Sequence, residues 1–134
     1  MSYKKSIGNR GEELAAGYLE DKGYRVTARN FHVSHDEIDI IAEDEKYIIF
    51  VEVKTRAQTE VNIRYGRPAM AVNYSKKKKL LRAALEYLRR FKPGKAPRID
   101  VIEVYMPAVR EGEVTDIATL PAIKIKHITN AVHK

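Results

Sequence analysis

Two apolar stretches, residues 37–43 and 47–54, are separated by only three polar residues, Asp44, Glu45 and Lys46. Short stretches rich in isoleucine and valine predict β-strands, and a polar link of this length predicts an antiparallel hairpin. The second stretch carries apolar residues at successive positions, which indicates burial on both faces, as in the centre of a sheet. The chain is therefore predicted to fold around a central β-hairpin.

Each strand of this hairpin holds an acidic residue among apolar neighbours. Asp39 lies among isoleucines, and Glu52 lies among valines, with Lys54 two residues further on. Burying an unpaired carboxylate costs several kcal/mol, so each acid needs a compensating partner. Side chains alternate along a strand with a period of two, and Glu52 and Lys54 are therefore expected on the same face.

The register of the hairpin decides whether the two acids meet. In an antiparallel hairpin the numbers of opposed residues sum to a constant, and a connecting loop of even length makes that sum odd. The numbers of Asp39 and Glu52 sum to 91, so an even loop places both acids and Lys54 on one face. An odd loop or a bulge would separate them.

Two neighbouring carboxylates repel each other, and a hard divalent cation such as Mg²⁺ relieves this repulsion while using the oxygen ligands that it prefers. An ion in this position polarises a phosphodiester and lowers the pKa of an attacking water, which Lys54 would orient. The acids and the lysine therefore predict a metal site. The alternative is a buried salt bridge without a metal ion, although such pairs stabilise little.

Glu12 is a further candidate for this site. Residues 9–22 predict an amphipathic helix that ends at Gly23, and Glu12 lies about 20° around the helical wheel from Leu19, at the border of the apolar stripe. The same spacing fits a capping box, in which Glu12 bonds the backbone of Asn9. Spacing alone leaves the metal-site and capping roles equally open.

The remaining pattern predicts an αβββαβ order followed by a tail. Its further elements are a strand over 24–30, a polar loop over 55–71, an amphipathic helix over 75–91, a strand over 98–105, and weaker strands over 114–119 and 123–128. Length and hydrophobic content predict one domain spanning residues 1–134.

Cysteine and histidine usage limits the ligands of any metal site. The chain has no cysteine, so a metal ion must be held by oxygen or histidine. The histidines form no spaced ligand pair and are interpreted as surface residues: His32, His35, His127 and His133. The longest apolar run, residues 47–51, is too short to cross a bilayer, and a cytoplasmic location is expected.

Basic residues are concentrated in the middle of the chain. Residues 54–98 carry 14 lysines and arginines against two glutamates, whereas the whole chain has a net charge of +7. Such a segment favours nucleic acid as a partner, because neutralising phosphates releases counterions. The alternative is a solvated, lysine-rich helix face. The expected phosphate contacts are Arg64, Arg67, Lys76, Lys77, Lys78, Lys79 and Arg82.

An acid, a gap and an acid-x-lysine triplet on an apolar hairpin resemble the PD-(D/E)XK nuclease superfamily, with Asp39 as the first acid and Glu52-Val53-Lys54 as the triplet. A more specific resemblance, over most of the chain, is to the YraN family of bacterial proteins, which look like relatives of archaeal Holliday-junction resolvases. It is carried by Gly8, Gly11-Glu12, Ala15, Gly23-Tyr24, Arg29-Asn30, Glu37 to Ala42, Phe50 to Arg56, Tyr65-Gly66 and Arg98 to Val101.

This resemblance implies a restriction-endonuclease-like core, with a mixed sheet flanked by helices. It favours Glu12 as a member of the site over its capping role, and it implicates Glu37 and Arg56 beside the site. A glycine usually precedes the Glu-Ile-Asp triplet in this family, whereas Asp36 stands here, so metal affinity or backbone geometry is expected to differ. By analogy with resolvases, which act as dimers, the resemblance implies a homodimer.

Together these features predict a Mg²⁺- or Mn²⁺-dependent endonuclease acting on structured or branched DNA. Asp39, Glu52 and the Val53 carbonyl are the expected metal ligands, Lys54 assists the nucleophile, and Glu12 holds a metal ion or a water. Two alternatives remain open. One is a nucleic-acid-binding module without catalysis, and the other is a structural role in which the lysine-rich helix docks on an acidic protein.

Overall fold

The computed structural model of the protein describes residues 3–58, 74–108 and 116–131. Within these residues the chain forms two α-helices, five β-strands and one 3-10 helix, in the order α1 (Tyr3–Asp21), β1 (Arg25–Val33), β2 (Asp36–Glu43), β3 (Tyr47–Gln58), α2 (Tyr74–Phe91), β4 (Ala96–Pro107), the 3-10 helix (Ile117–Thr119) and β5 (Lys124–Ile128). This order confirms the predicted αβββαβ core and tail. No helix of the described residues is long and apolar enough to span a membrane.

The five strands form one mixed sheet in the order β1-β2-β3-β4-β5. Strands β3 and β4 are parallel, and the other neighbouring pairs are antiparallel. Parallel strands need a long crossover connection, and α2 lies in that connection. The sheet is therefore mixed and flanked by helices, as expected for a restriction-endonuclease-like core.

The two helices cover opposite faces of the sheet. On one face, α1 buries Leu19 against strand residues that include Ile49 and Val51. On the other face, α2 buries Leu80 against residues that include Ile48 and Phe50. Alternate residues of β3 thus pack against different helices, which explains why this strand is apolar at successive positions.

Helix α1 begins at Tyr3, so Asn9 lies inside the helix, and the alternative in which Glu12 bonds Asn9 in a capping box is excluded. The helix ends at Asp21, and Gly23 follows as the predicted stop. Gly23 has a φ of 96°, and the amide of Tyr24 donates to the carbonyl of Leu19 at 3.0 Å. A glycine with positive φ and this backward bond form a Schellman motif, which satisfies carbonyls at the helix end.

Two further predictions differ from the structure, and a third is confirmed. Residues 55–58 belong to β3 and not to a loop, because β3 pairs with β4 over its whole length, from Tyr47 opposite Ala96 to Gln58 opposite Pro107. The predicted strand over 114–119 is wrong for its described residues, 116–119, since Ile117–Thr119 forms a 3-10 helix capped by Asp116. The weak prediction over 123–128 is confirmed by β5.

Candidate active site

The β2–β3 hairpin has the register that brings the two acids together. Its paired residues run from Glu43 opposite Ile48 to Ile40 opposite Val51, and each pair of numbers sums to 91. The turn is even because the Asp44 amide donates to the Tyr47 carbonyl at 3.1 Å, which leaves two residues between them. Continued by one residue, this register sets Asp39 opposite Glu52.

The Asp44 side chain explains locally why the turn is so tight. Its Oδ1 accepts hydrogen bonds from the amides of Lys46 at 2.8 Å and Tyr47 at 2.7 Å. These bonds lower the pKa of Asp44, because they favour the charged carboxylate. An aspartate that bonds the backbone two and three residues further on holds a short turn, and this turn fixes the register of the site.

Asp39 is a partly buried acid that bonds to a backbone amide of the neighbouring strand. None of the described residues forms an ion pair with it, and its Oδ2 accepts a 2.8 Å hydrogen bond from the Val53 amide. Burial and the nearby charge of Glu52 raise the pKa of Asp39 to about 7, although the bond from Val53 acts in the opposite direction. The carboxylate form of Asp39 is therefore uncompensated.

Glu52 has a partner on its own strand. Lys54 Nζ lies 3.2 Å from Glu52 Oε1, and both side chains are largely buried. Glu52 and Lys54 have the same parity as Ile48 and Phe50, so they share the face that α2 covers. The salt bridge considered from the sequence thus exists for Glu52, but it does not neutralise Asp39.

Glu12 and Glu37 approach the same acids. With its amide nitrogen turned towards them, Asn30 donates to Glu12 Oε1 at 2.8 Å and to Glu37 Oε1 at 3.2 Å. Burial and the charge of Glu37 raise the pKa of Glu12, and the charges of Glu12 and Glu37 both raise the pKa of Asp39. We call Glu12, Glu37, Asp39 and Glu52 the acid cluster.

The close approach of α1 to β3 places Glu12 in the acid cluster. A Cβ atom on Gly11 would overlap the side chain of Thr55. Only glycine allows the helix backbone to approach the strand this closely. Gly11 therefore sets the position of the neighbouring Glu12.

Three members of the acid cluster, Glu37, Asp39 and Glu52, line a cleft of about 300 Å³ next to α2, whereas Glu12 is not among the residues that line it. The cleft is lined by His35, Asp36, Glu37, Asp39, Glu52, Lys79 and Leu80. Lys79 is exposed and comes from α2, so a basic side chain enters the cleft from the lysine-rich helix. The cleft thus combines carboxylates that suit a cation with an ammonium group that suits an anion.

Comparison with known proteins decides the family. Residues 11–104 match the family model described as Uncharacterised protein family UPF0102. The chain belongs to the UPF0102 family. This is the YraN family, and the resemblance stated from the sequence is therefore confirmed. The matched region contains the whole acid cluster.

Relatives with this family name match nearly the whole chain. A UPF0102 protein of Caldanaerobacter subterraneus subsp. tengcongensis is 41% identical over 130 residues, which cover 96% of this chain and 95% of the relative. A protein of Chlorobium phaeobacteroides is 38% identical over 127 residues, with 93% and 92% covered. A protein of Geobacter sulfurreducens is 40% identical over 130 residues, with 96% and 90% covered.

Asp36, which directly precedes Glu37-Ile38-Asp39, bonds to α2. Arg82 donates from Nε to Asp36 Oδ2 and from Nη2 to Asp36 Oδ1, each at 2.9 Å. The hydrogen bonds from Arg82 lower the pKa of Asp36 and keep it charged. The extra acid therefore ties β2 to the lysine-rich helix at the edge of the cleft.

The expected phosphate contacts of the UPF0102 chain are only partly described. Lys77 is half-buried, Lys78 and Lys79 are exposed on α2, and Arg82 is exposed while it holds Asp36. Arg64 and Arg67 lie outside the described residues, as does the side chain of Lys76. Of the contacts that the structure describes, Lys79 is the one that lines the cleft.

Arg56, implicated by the resemblance, bonds to an acid outside the acid cluster. Its Nε donates to Glu103 Oε2 at 2.9 Å. Glu103 lies on β4, opposite Lys54 in the parallel register, and is fully buried. Glu103 was not predicted from the sequence, although its position inside an apolar strand is the signal that identified Asp39 and Glu52.

Asp100 is a second buried acid that was not predicted from the sequence as a residue in need of a partner. It accepts bonds from Arg98 Nε at 3.0 Å, His127 Nε2 at 2.7 Å and the Asn130 amide at 2.9 Å. The side chain of His127 is only 8% exposed, so its interpretation as a surface histidine is wrong. This network joins β4 to β5 and lies outside the acid cluster.

The donor set of the acid cluster fits a hard cation only in part. Asp39 and Glu52 oppose each other, and the uncompensated Asp39 would gain from a divalent ion. Among the described residues, however, no group of three or more acids and histidines is arranged to hold a metal ion. A bound ion would take its remaining ligands from water, the backbone or a phosphate.

Proposed function

We propose that this UPF0102 protein is a Mg²⁺- or Mn²⁺-dependent endonuclease that hydrolyses phosphodiester bonds of structured or branched DNA. The observation that carries this proposal is that Asp39 and Glu52 line one cleft, close enough to interact electrostatically, together with Lys79. An uncompensated acid in such a cleft is a recurrent feature of catalytic sites. The preference for branched DNA rests on the resemblance to resolvases.

The residues of the acid cluster have distinct roles in this proposal. Asp39 and Glu52 would hold the ion together with the Val53 carbonyl, and Glu12 would hold the ion or a water. When bound, the ion supplies a polarised phosphate and a more acidic water. Glu37 acts through Asn30, which bonds both glutamates and so fixes Glu12.

The basic residues of the site act on the attacking water and on the phosphate. Lys54, 3.2 Å from Glu52, is close enough to orient an attacking water or to stabilise charge that develops on the phosphate. Lys79 would bind a phosphate at the mouth of the cleft, and the exposed lysines of α2 would add sequence-independent affinity. The bond between Arg82 and Asp36 keeps this helix beside the acids.

A specific observation favours a second candidate, a nucleic-acid-binding module without catalysis. The described residues contain no complete set of metal ligands, and Lys54 already pairs with Glu52. A basic helix next to an incomplete site would still bind nucleic acid. The two candidates differ in whether cleavage accompanies binding.

The deciding experiment is a cleavage screen of linear, flapped and four-way DNA with Mg²⁺, Mn²⁺ or EDTA. We expect metal-dependent cleavage by the parent, its loss in Asp39→Ala and Glu52→Ala, and its retention in Glu13→Ala, a matched exposed acid beside Glu12. Equal cleavage by the parent and Asp39→Ala in Mn²⁺ would refute the proposal. Salt-dependent binding without cleavage of any substrate would support the binding module.

A further inference from the structure

A second polar group continues the face of β3 that carries Glu52 and Lys54. Arg56 lies two residues beyond Lys54, which corresponds to about 6.6 Å along a strand. In the parallel register, Lys54 is opposite Glu103 and Arg56 is opposite Tyr105. These four side chains therefore share one face of the sheet, next to the acid cluster.

Both oxygens of the buried Glu103 carboxylate have a donor. Arg56 Nε donates to Oε2 at 2.9 Å, and the Tyr105 hydroxyl donates to Oε1 at 2.9 Å. Burial and the bond to Glu103 raise the pKa of Tyr105, so its hydroxyl stays protonated as a donor. Tyr105 thus fixes the Glu103 carboxylate through Oε1, and the carboxylate binds Arg56 through Oε2.

The guanidinium of Arg56 is only partly used by this contact. It has five N–H donors, and the bond to Glu103 uses the one on Nε. The two terminal nitrogens have no polar partner among the described residues, and the side chain is 18% exposed. A guanidinium whose Nε is fixed, and whose terminal nitrogens bond to no described residue, is well suited to bind a phosphate with two parallel bonds.

Stability does not explain why these charges are buried. A buried ion pair is often no more stable than an apolar pair of similar volume. Neighbouring positions of β4, such as Val101 and Val104, are occupied by apolar residues. An arginine whose orientation is fixed by a buried acid is typical of a binding site in which a second residue positions the first.

We propose that Arg56 binds a nucleic-acid phosphate adjacent to the one at the acid cluster, and that Glu103, held by Tyr105, positions the Arg56 guanidinium. This inference rests on the proposed function, because it assumes a nucleic acid in the cleft. It extends the contact surface along β3 beyond Lys54. Phosphate binding then follows the strand as well as helix α2.

The test measures the binding of a fluorescein-labelled four-way DNA junction by anisotropy, in EDTA and over a range of salt concentrations. We expect Arg56→Gln to weaken binding about tenfold and to reduce the slope of log K against log salt by about one. The matched control is Arg90→Gln, which removes an exposed arginine that also pairs with an acid, Glu86. We expect it to change binding less than about twofold.

Two further variants separate binding from folding. Arg56→Lys keeps a charge beside Glu103 but loses the guanidinium fork, and we expect it to weaken binding about threefold without unfolding the protein. Glu103→Gln should also weaken binding about threefold when Arg56 is present. It should have no additional effect in the Arg56→Gln protein, because a positioning residue acts only through the group it positions. Thermal unfolding identifies any variant that is not folded.

The outcomes distinguish this inference from the proposed function. A parent that does not retain the junction at low salt overturns both. A parent that binds the junction, with Arg56→Lys and Arg56→Gln binding as tightly as Arg90→Gln, overturns the inference alone. Additive losses for Arg56→Gln and Glu103→Gln would contradict the positioning role of Glu103.

Discussion

The Val53 amide donates a 2.8 Å hydrogen bond to Asp39 Oδ2, across the two strands of the hairpin. The described backbone pairing of β2 with β3 stops at Ile40 and Val51, just before these residues. The Asp39 carboxylate thus accepts a hydrogen bond from an amide that would otherwise donate to a backbone carbonyl of β2. The strands can separate here without leaving this amide unpaired, and the cleft opens at that point.

The raised pKa of Asp39 predicts how stability depends on pH. In the folded protein this pKa is about 7, above the ordinary value of 3.8, so the folded state holds a proton that the unfolded chain releases. The contribution of Asp39 to the free energy of unfolding is therefore largest below about pH 4 and is lost as the pH rises to about 7. Asp39→Asn should remove this dependence.

The measurement is denaturant unfolding in EDTA at several pH values. At pH 8 we expect Asp39→Asn to be about 2 kcal/mol more stable than the parent, less than the full pKa shift because solvent screens a partly buried group. Glu45→Gln, which changes an exposed acid in the hairpin turn, should keep the pH profile of the parent. If the free energy of unfolding depended on pH in the same way for the parent and for Asp39→Asn, the charge of Asp39 would be compensated in the folded protein.

Binding of a divalent ion should depend on the same proton. An ion that Asp39 ligates must displace the proton, so affinity should fall about tenfold from pH 8 to pH 6 for one group with a pKa of about 7. Calorimetric titration with Mn²⁺ measures this ratio and the proton release at pH 6. Unchanged affinity across this range, or equal binding by Asp39→Asn, would exclude Asp39 as a ligand.

The contact between Gly11 and Thr55 should be highly sensitive to substitution. In Gly11→Ala the new Cβ would overlap the Thr55 side chain, so α1 must move away from β3. We expect a loss of about 2 kcal/mol in the free energy of unfolding and a loss of any cleavage that requires Glu12. Circular dichroism on heating measures the first effect.

Gly8→Ala is the matched control, because a Cβ on Gly8 would meet nothing within 4 Å. Alanine inside a helix should leave stability equal or raise it by about 0.5 to 1 kcal/mol. If both alanine variants were equally stable, the close packing of α1 on β3 would not determine the position of Glu12.

The sequence was sufficient for those parts of the site that depend on local rules. Parity along a strand can be deduced from residues 37–54, and it sets Asp39 opposite Glu52 if the turn is even. The sequence left the length of the turn open, and the bond between Asp44 and Tyr47 in the folded hairpin makes it even. The participation of Glu12 could not be deduced, because spacing within α1 is equally consistent with a cap. The start of α1 at Tyr3 excludes the cap, and the packing of Gly11 against Thr55, far away in the sequence, places Glu12 near the other acids.

The parallel pairing of β3 with β4 is the main feature that local rules do not predict. It extends β3 to Gln58 and places Glu103 beside Arg56, across a crossover whose register no turn determines. Asp100 and Glu103 lie among apolar residues of a strand, as Asp39 does, so the same sequence feature identifies them as buried acids that need partners. Their partners, however, come from strand pairings that are set only by the folded sheet.

Asp100 is expected to be the most important acid for stability. It is fully buried, and bonds from His127, Arg98 and the Asn130 amide keep its pKa below the ordinary value. A lowered pKa means that this stabilisation is present above about pH 4 and is lost as the pH falls further. Asp100→Asn should reduce the free energy of unfolding at pH 7 by about 3 kcal/mol, because the partly buried Arg98 loses its counter-charge.

Asp116→Asn is the control. It changes an exposed cap and should reduce the free energy of unfolding by less than about 1 kcal/mol. Equal losses in urea unfolding at pH 7 would show that the network around Asp100 does not hold β5 on the sheet.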